Sequence, residues 1–356
     1  MQTDTTFSND YGPQRLSVEL ANICNLHCSY CLRSEDNLYS SRAEFLPVEL
    51  LRRVIGEARD VVNATKIIFT GGEPTLHPQF AAAIETISAA NMTVSFVTNG
   101  WHFERVWPAL AANRPSISHV AFSLDGITRE SHDGWRGQGS FDRLVRAFSR
   151  CYMSQMPFAI KVTVRRDLMD QLEQIAMFAA RMGAAALNFA HVMPTSTALA
   201  DEAALGLDER RMVEEEVAIL ARIFKMNIAV DVGYYNIDED RAPCSPLAGT
   251  SMNVDYRGRL SLCCNLSGFR GAAEETDVVA DLNVESFASA FAKLKEVATA
   301  QLKKRREALA ALRAQGVTPD LFTGSPCLFC LQSFGKTPWH RSTEPELVSI
   351  RARLND

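Results

Sequence analysis

The chain has 356 residues, with 37 Lys and Arg against 42 Asp and Glu, a net charge of −5 at neutral pH. Hydrophobic residues make up 47% and charged residues 22%, a globular balance that excludes a mostly disordered chain. The length suits about two domains, and the mild acidity argues against a general nucleic-acid binder.

Taken in chain order, strand patterns fall at 16–20, 66–70, 93–98, 118–124, 158–164 and 186–191, short stretches rich in β-branched or apolar residues. Helix patterns lie between them at 47–62, 78–90, 103–112, 141–155, 168–182 and 208–225, with Pro47 and Asp208 as starters. Six β/α units imply a parallel sheet with helices outside it. Six is fewer than the eight that close a TIM barrel, so the expectation is an α/β fold, a partial (β/α)6 TIM barrel. Its ligand should sit beyond the carboxyl ends of the strands.

From about Asn227 the alternation stops. Stretches 252–255 and 259–263 flank a turn at 256–258, a hairpin pattern, and a long helical pattern runs over 284–315 before Gly316. We therefore expect a core over 1–232, a small α+β domain over 233–340 and a polar tail over 341–356. No stretch reaches the roughly 18 apolar residues of a membrane span. The first ten residues lack the basic start and apolar run of a secretory signal, so a cytoplasmic location without a membrane partner is expected.

Nine cysteines in such a chain read as metal ligands or catalytic groups before disulfides. Cys24, Cys28 and Cys31 share the segment CNLHCSYC, directly after the first strand. Three thiolates this close converge on one metal centre, and an iron–sulfur cubane with three protein ligands keeps one iron open. Structural zinc is the alternative; it wants a fourth ligand, and His27 stands too near Cys28 for easy shared chelation. The second strand runs into Gly71, Gly72, Glu73 and Pro74. Two glycines let a ligand approach the backbone, and Glu73 offers a carboxylate to an ammonium group.

Cys327 and Cys330 form a two-point chelate, CLFC, and Cys244 and Cys263 stand at the edges of the hairpin. Four thiolates saturate a second cluster, or else a four-cysteine zinc site. Adjacent strand residues point opposite ways, so only one of Cys263 and Cys264 should face the metal. The spacing from Gly258 favours Cys263. Cys151, mid-helix among apolar residues, reads as a buried small hydrophobe.

The three-cysteine loop, with Tyr30 just before its last cysteine, and GGEP after the second strand resemble the radical S-adenosylmethionine (SAM) enzymes over about residues 14–195. The resemblance implies that Cys24, Cys28 and Cys31 hold a [4Fe–4S] cluster whose open iron binds SAM. One electron then cleaves SAM to methionine and a 5′-deoxyadenosyl radical, which takes hydrogen from an unactivated C–H bond. It further implies Gly72 and Glu73 at the SAM amino group and Tyr30 near the adenine. Thr98 and Asn99 of VTNG, and Ser123 and Asp125 of FSLDG, would lie near the cofactor. Arg136 would meet the SAM carboxylate, and Phe189 and Val192 would pack on the adenine. Each has a plainer alternative: turn formers at Asn99, Ser123 and Asp125, a surface ion pair at Arg136.

The second cysteine set resembles the twitch or SPASM auxiliary domains over about 233–335. No cysteine follows Cys330, which implies one auxiliary [4Fe–4S] cluster, either an electron acceptor or a structural group. Enzymes of this build often modify peptides. The resemblance thus implies oxidation or cross-linking of a side chain in a ribosomally made peptide, with reduced flavodoxin or ferredoxin as electron donor. A dehydrogenase of a small molecule such as an aminocyclitol or sugar alcohol is the second reading. A non-catalytic iron–sulfur or zinc protein is the third. Asp231, Tyr234 and Tyr235, at the junction, are candidates for a base or radical relay. The basic run 293–313 can hold an acidic leader or an electron donor, although a solvated helix face is the ordinary meaning of such a run.

Overall fold

A computed structural model describes residues 14–36, 42–238, 243–269 and 275–339. Seven strands pair in sequence order, all parallel: β1 (Arg15–Ala21), β2 (Lys66–Gly71), β3 (Thr93–Thr98), β4 (Ile117–Ser123), β5 (Phe158–Val164), β6 (Ala186–His191) and β7 (Asn227–Val232). The intervening helices are α1 (Val48–Val62), α2 (Phe80–Ala89), α3 (Phe103–Ala112), α4 (Arg129–Arg136), α5 (Ser140–Met153), α6 (Leu172–Met182), α7 (Ser196–Ala200) and α8 (Leu207–Ile223). The remaining elements are β8 (Ser251–Val254), β9 (Arg259–Ser261), α9 (Cys264–Ser267), β10 (Val278–Asp281), α10 (Phe287–Ala314), α11 (Leu321–Gly324) and α12 (Pro326–Ser333).

Strand alternation decides what faces what. Leu16, Val18 and Leu20 of β1, Ile67 and Phe69 of β2, Val94 and Phe96 of β3, and Val120 and Phe122 of β4 are essentially fully buried and join one hydrophobic core. The intervening positions are smaller or polar, and Thr70, Val97, Ser123, Lys161, Thr163 and Ala190 line a central cavity. The apolar layer packs helices onto the sheet, while the opposite face is left for a ligand.

The fold is the expected unclosed partial barrel, with two differences. First, β7 adds a seventh parallel strand beyond β6. It is an edge strand with only Ile228 fully buried, so its hydrophobic signal is weak. Second, the C-terminal strands do not stand apart. β8 hydrogen-bonds in parallel to β1, so one sheet runs β10-β9-β8-β1-β2-β3-β4-β5-β6-β7. The expected hairpin is present as antiparallel β8 and β9, and α10 occupies most of the expected long helix. The tail over 341–356 lies outside the described residues.

Candidate functional site

A cavity of about 310 Å³ opens at the carboxyl ends of the strands. Cys24, Cys28 and Cys31 line it, with Tyr30, Gly71, Gly72, Glu73, Thr98, Asn99, Ser123 and Arg136. Burial raises the Cys24 thiol to about 12, with Glu73 adding to the rise, and raises Cys28 to about 11. Both thiols therefore stay protonated until a metal displaces the proton. Cys24 Sγ accepts from Leu26 N at 3.4 Å and from Asn99 Nδ2 at 3.7 Å. Among the described residues no three His, Cys, Asp or Glu side chains stand at metal-ligand spacing, at this cysteine set or any other. The chemistry of this wall fits a cluster with three protein ligands and an open side. His27 is exposed and does not line the cavity, which leaves zinc without its nearby fourth ligand.

The GGEP segment is locked to the cysteine loop through its backbone. Gly72 N donates to Ala21 O and Glu73 N to Ile23 O, both at 2.8 Å. A Cβ on Gly71 would lie 2.4 Å from Ala21 O, and one on Gly72 2.0 Å from Ile23 O. The two glycines thus admit the neighbouring chain on one side, and both also line the cavity. Glu73 is buried below them. Its Oε1 accepts from Thr75 N (3.1 Å), Thr75 Oγ1 (2.5 Å) and Thr98 Oγ1 (2.8 Å), and Oε2 accepts from Asn99 N (2.8 Å). Burial still holds its pKa above the usual carboxylate range. With one bond on Oε2, that oxygen keeps capacity for a cationic donor from the cavity. Pro74 starts a short turn behind the cavity.

Asp125 and Arg136 meet each other. Arg136 Nε donates to Asp125 Oδ2, as does the Tyr30 hydroxyl, and an Arg136 terminal nitrogen donates to Tyr30 Oη at 2.9 Å. Arg165 reaches Asp125 Oδ1 at 3.4 Å and lies over the rings of Tyr30 (5.0 Å) and Trp135 (4.0 Å). Burial pushes the Asp125 carboxyl up, but Arg136 and Arg165 outweigh it and hold it below the ordinary range. Asp125 is fully buried behind the cavity wall, while Arg136 lines the wall and has its Nε engaged.

Five other candidates do not line the cavity. Phe189 shares the buried face of β6 with Leu187, opposite Val162 in register, and does not line the cavity. Val192 packs with Leu26, Cys28, Tyr30 and Ala198, bracing the cysteine loop from behind. Tyr234 donates to Pro243 O and Tyr235 to Pro319 O at 2.8 Å, tying down the segment after β7 outside the cavity. Asp231 reaches the cavity only through Lys161, whose Nζ donates to it at 2.7 Å. Burial opposes the charge on Lys161, but Asp231 holds its pKa above the ordinary value. Lys161 itself lines the cavity and was missed; its signal is a lone cation in an apolar strand, two residues before cavity-lining Thr163.

The second cysteine set lies around α12. Cys327 and Cys330 occupy the first turn and a half of α12, which Pro326 starts. Electrostatic coupling links Cys244 with Cys327 and Cys330, and Cys263 with Cys327. Each thiol has an N–H donor: Leu247 N to Cys244, Asn265 N to Cys263, Gly233 N to Cys327 at 3.4 Å and Gln301 Nε2 to Cys330 at 3.6 Å. Arg210 and Arg305 add buried positive charge beside these thiols. Burial raises Cys244 to about 12 and pushes Cys330 and Cys327 up. The chemistry of four hydrogen-bonded thiols, buried or half-buried, with two arginines beside three of them, fits a fully ligated iron–sulfur cluster. Cys264 lines the central cavity, and its thiol hydrogen-bonds the neighbouring Cys263 thiol and also acts on Cys327, so both members of the pair lie beside the second set. Cys151 is fully buried in the core of α5.

Comparisons with known proteins agree with this geometry. Residues 18–182 match the radical SAM superfamily model. Over 179 residues, 49% of this chain and 43% of the relative, the sequence is 35% identical to mycofactocin maturase MftC of Mycolicibacterium smegmatis. Over 169 residues, 47% of this chain and 49% of the relative, it is 29% identical to GTP 3′,8-cyclase of Mannheimia succiniciproducens. The chain thus spans less than half the length of these curated relatives. In fold it is similar to Streptococcus suis SuiB, solved bound to precursor peptide SuiA, with a TM-score of 0.62 and 14% identity over 78% of this chain and 64% of that one. Among the described residues no helix is long and apolar enough to cross a membrane.

Proposed function

With a radical SAM domain over residues 18–182 as the premise, we propose that this chain cleaves SAM reductively and uses the resulting radical to oxidise or cross-link a side chain of a ribosomally made peptide. Cys24, Cys28 and Cys31 would hold a [4Fe–4S] cluster, and Cys244, Cys263, Cys327 and Cys330 an auxiliary one in a twitch-like domain. When bound, the first cluster supplies the electron that cleaves SAM to methionine and a 5′-deoxyadenosyl radical. The protein's part is placement. Glu73, held by Thr75, Thr98 and Asn99, presents Oε2 to the SAM ammonium. Tyr30 and Arg136 form the neighbouring wall, with Asp125 and Arg165 fixing their orientation. Lys161 and Cys264 line the cavity from other elements, where a substrate would enter.

The observation that carries this reading is the convergence of three thiols, the Glu73 carboxylate and the ends of β3 and β4 on one cavity. The maturase relative supports a peptide substrate. The GTP 3′,8-cyclase relative favours the second reading, a small-molecule substrate. The test is anaerobic incubation with SAM and dithionite, followed by mass spectrometry. Release of 5′-deoxyadenosine and methionine supports the reading, and their absence from fully reconstituted protein defeats it. A precursor peptide that loses the mass of two hydrogen atoms decides for the peptide substrate.

A further inference from the structure

We propose that an arginine patch beside the three-cysteine loop docks an acidic one-electron carrier protein, the class to which flavodoxin belongs; this rests on the reading that the loop holds an electron-accepting cluster. The patch is a groove of about 360 Å³ between the start of α3 and α5, lined by Trp101, His102, Glu104, Arg105, Arg143 and Arg146. All three arginines are exposed. Arg105 donates to the Thr75 carbonyl, and among the described residues none of the three forms an ion pair. The carboxylates nearby are engaged: Glu104 pairs with Arg150 and Asp142 with Arg129, both at 2.7 Å. Burial, with the charges of Arg105 and Arg143, pushes the His102 pKa below the ordinary imidazole value. Three uncompensated positive charges therefore stand together on a chain of net charge −5. Such a local field attracts an acidic partner and speeds its encounter.

The position of the patch says what the partner delivers. The Arg143 guanidinium lies 4.3 Å over the Trp101 ring, and Trp101 packs on the cluster of Leu26, Cys28 and Tyr30. Trp101 N donates to Asn99 Oδ1 at 2.9 Å, and Asn99 Nδ2 reaches Cys24 Sγ. A protein seated on the arginines thus stands one side chain away from the cysteine loop. The basic run of α10 has a different character. Lys293 pairs with Glu285 at 2.8 Å, and Arg305 is buried on the carbonyls of Asn236 and Gly324, beside the second thiol site. Redox encounters are small and transient, so a groove with three arginines is enough surface. The carrier loses one electron, the group held by Cys24, Cys28 and Cys31 gains it, and no bond or proton moves at this surface.

The test measures flavodoxin binding to the full chain by biolayer interferometry, and SAM cleavage driven either by reduced flavodoxin or by dithionite. Arg143→Glu with Arg146→Glu should weaken flavodoxin binding and flavodoxin-driven cleavage by about tenfold or more, leaving dithionite-driven cleavage unchanged. Arg143→Lys with Arg146→Lys should keep both, and high salt should weaken binding to the wild type. Unchanged flavodoxin binding in the glutamate variant overturns the proposal. So does a variant that loses binding of a polyglutamate peptide but keeps flavodoxin, which would make the patch a peptide site. Absence of dithionite-driven cleavage in the wild type defeats the cofactor reading, and the binding measurement still decides the docking surface.

Discussion

The two thiol sites of this chain differ as proposed above, one open with three cysteines and one closed with four. The first has three cysteines on the wall of a cavity, and its loop is held by backbone contacts to GGEP. The second has four cysteines, each buried or half-buried and each with an N–H donor, beside Arg210 and Arg305. Three ligands leave a metal coordination position for an incoming molecule, whereas four leave none. One dipeptide joins the two: the Cys263 and Cys264 thiols hydrogen-bond each other, Cys264 lines the open cavity, and both lie beside Cys327.

The largest expected effect separates the sites outright. Replacing Cys24, Cys28 and Cys31 by Ala should abolish 5′-deoxyadenosine release. Replacing Cys244, Cys327 and Cys330 should leave that release in place and abolish modified product, read by mass spectrometry of the same reactions. Equal loss of cleavage in both would break the distinction. A large stability effect should come from Gly72→Ala, whose Cβ would overlap Ile23 O at 2.0 Å; chemical denaturation should show a loss of about 3 kcal/mol.

A smaller effect should follow acid. His132 lies behind the open site, with Nδ1 accepting from Asp125 N at 3.1 Å, and burial with Arg136 pulls its pKa from 6.5 to about 4. The unfolded chain therefore binds a proton that the folded chain refuses. The contribution is complete above pH 6.5 and is lost as pH falls towards 4, by about 2 kcal/mol on reaching about pH 5. Stability measured against pH should show this slope in the wild type and a shallower one in His132→Asn. The smallest effect should be Gln301→Leu, which removes a donor to Cys330 Sγ. Iron content should hold, and the potential of the second site should move to more negative values by potentiometry.

Several elements of the fold are legible in the sequence alone. The spans 93–98, 103–112, 158–164 and 186–191 are those of β3, α3, β5 and β6, because each has a sharply apolar face ended by polar or turn residues. Strand period, invoked for Cys263 and Cys264, does not apply there, because β9 ends at Ser261 and the pair starts a short helix. Other features carried little signal. β7 is a half-exposed edge, and α4 buries only His132. Phe189 was assigned to the ligand although its parity with Leu187 places it on the core face. Tyr234 and Tyr235 follow Gly233, whose φ of 77° turns the chain away from the cavity, and nothing local announces where they anchor. The pairing of β8 with β1 joins residues more than two hundred positions apart, and no local pattern encodes such a contact.

The most direct measurement is iron and sulfide per chain after anaerobic reconstitution, made on the wild type, on Cys24/Cys28/Cys31→Ala, and on Cys263→Ser beside Cys264→Ser. Two cubanes predict about eight irons in the wild type, about four in the triple variant, a clear loss in Cys263→Ser and none in Cys264→Ser. About four irons in the wild type and almost none in the triple variant would remove the closed site, and zinc in place of iron would contradict the radical account altogether.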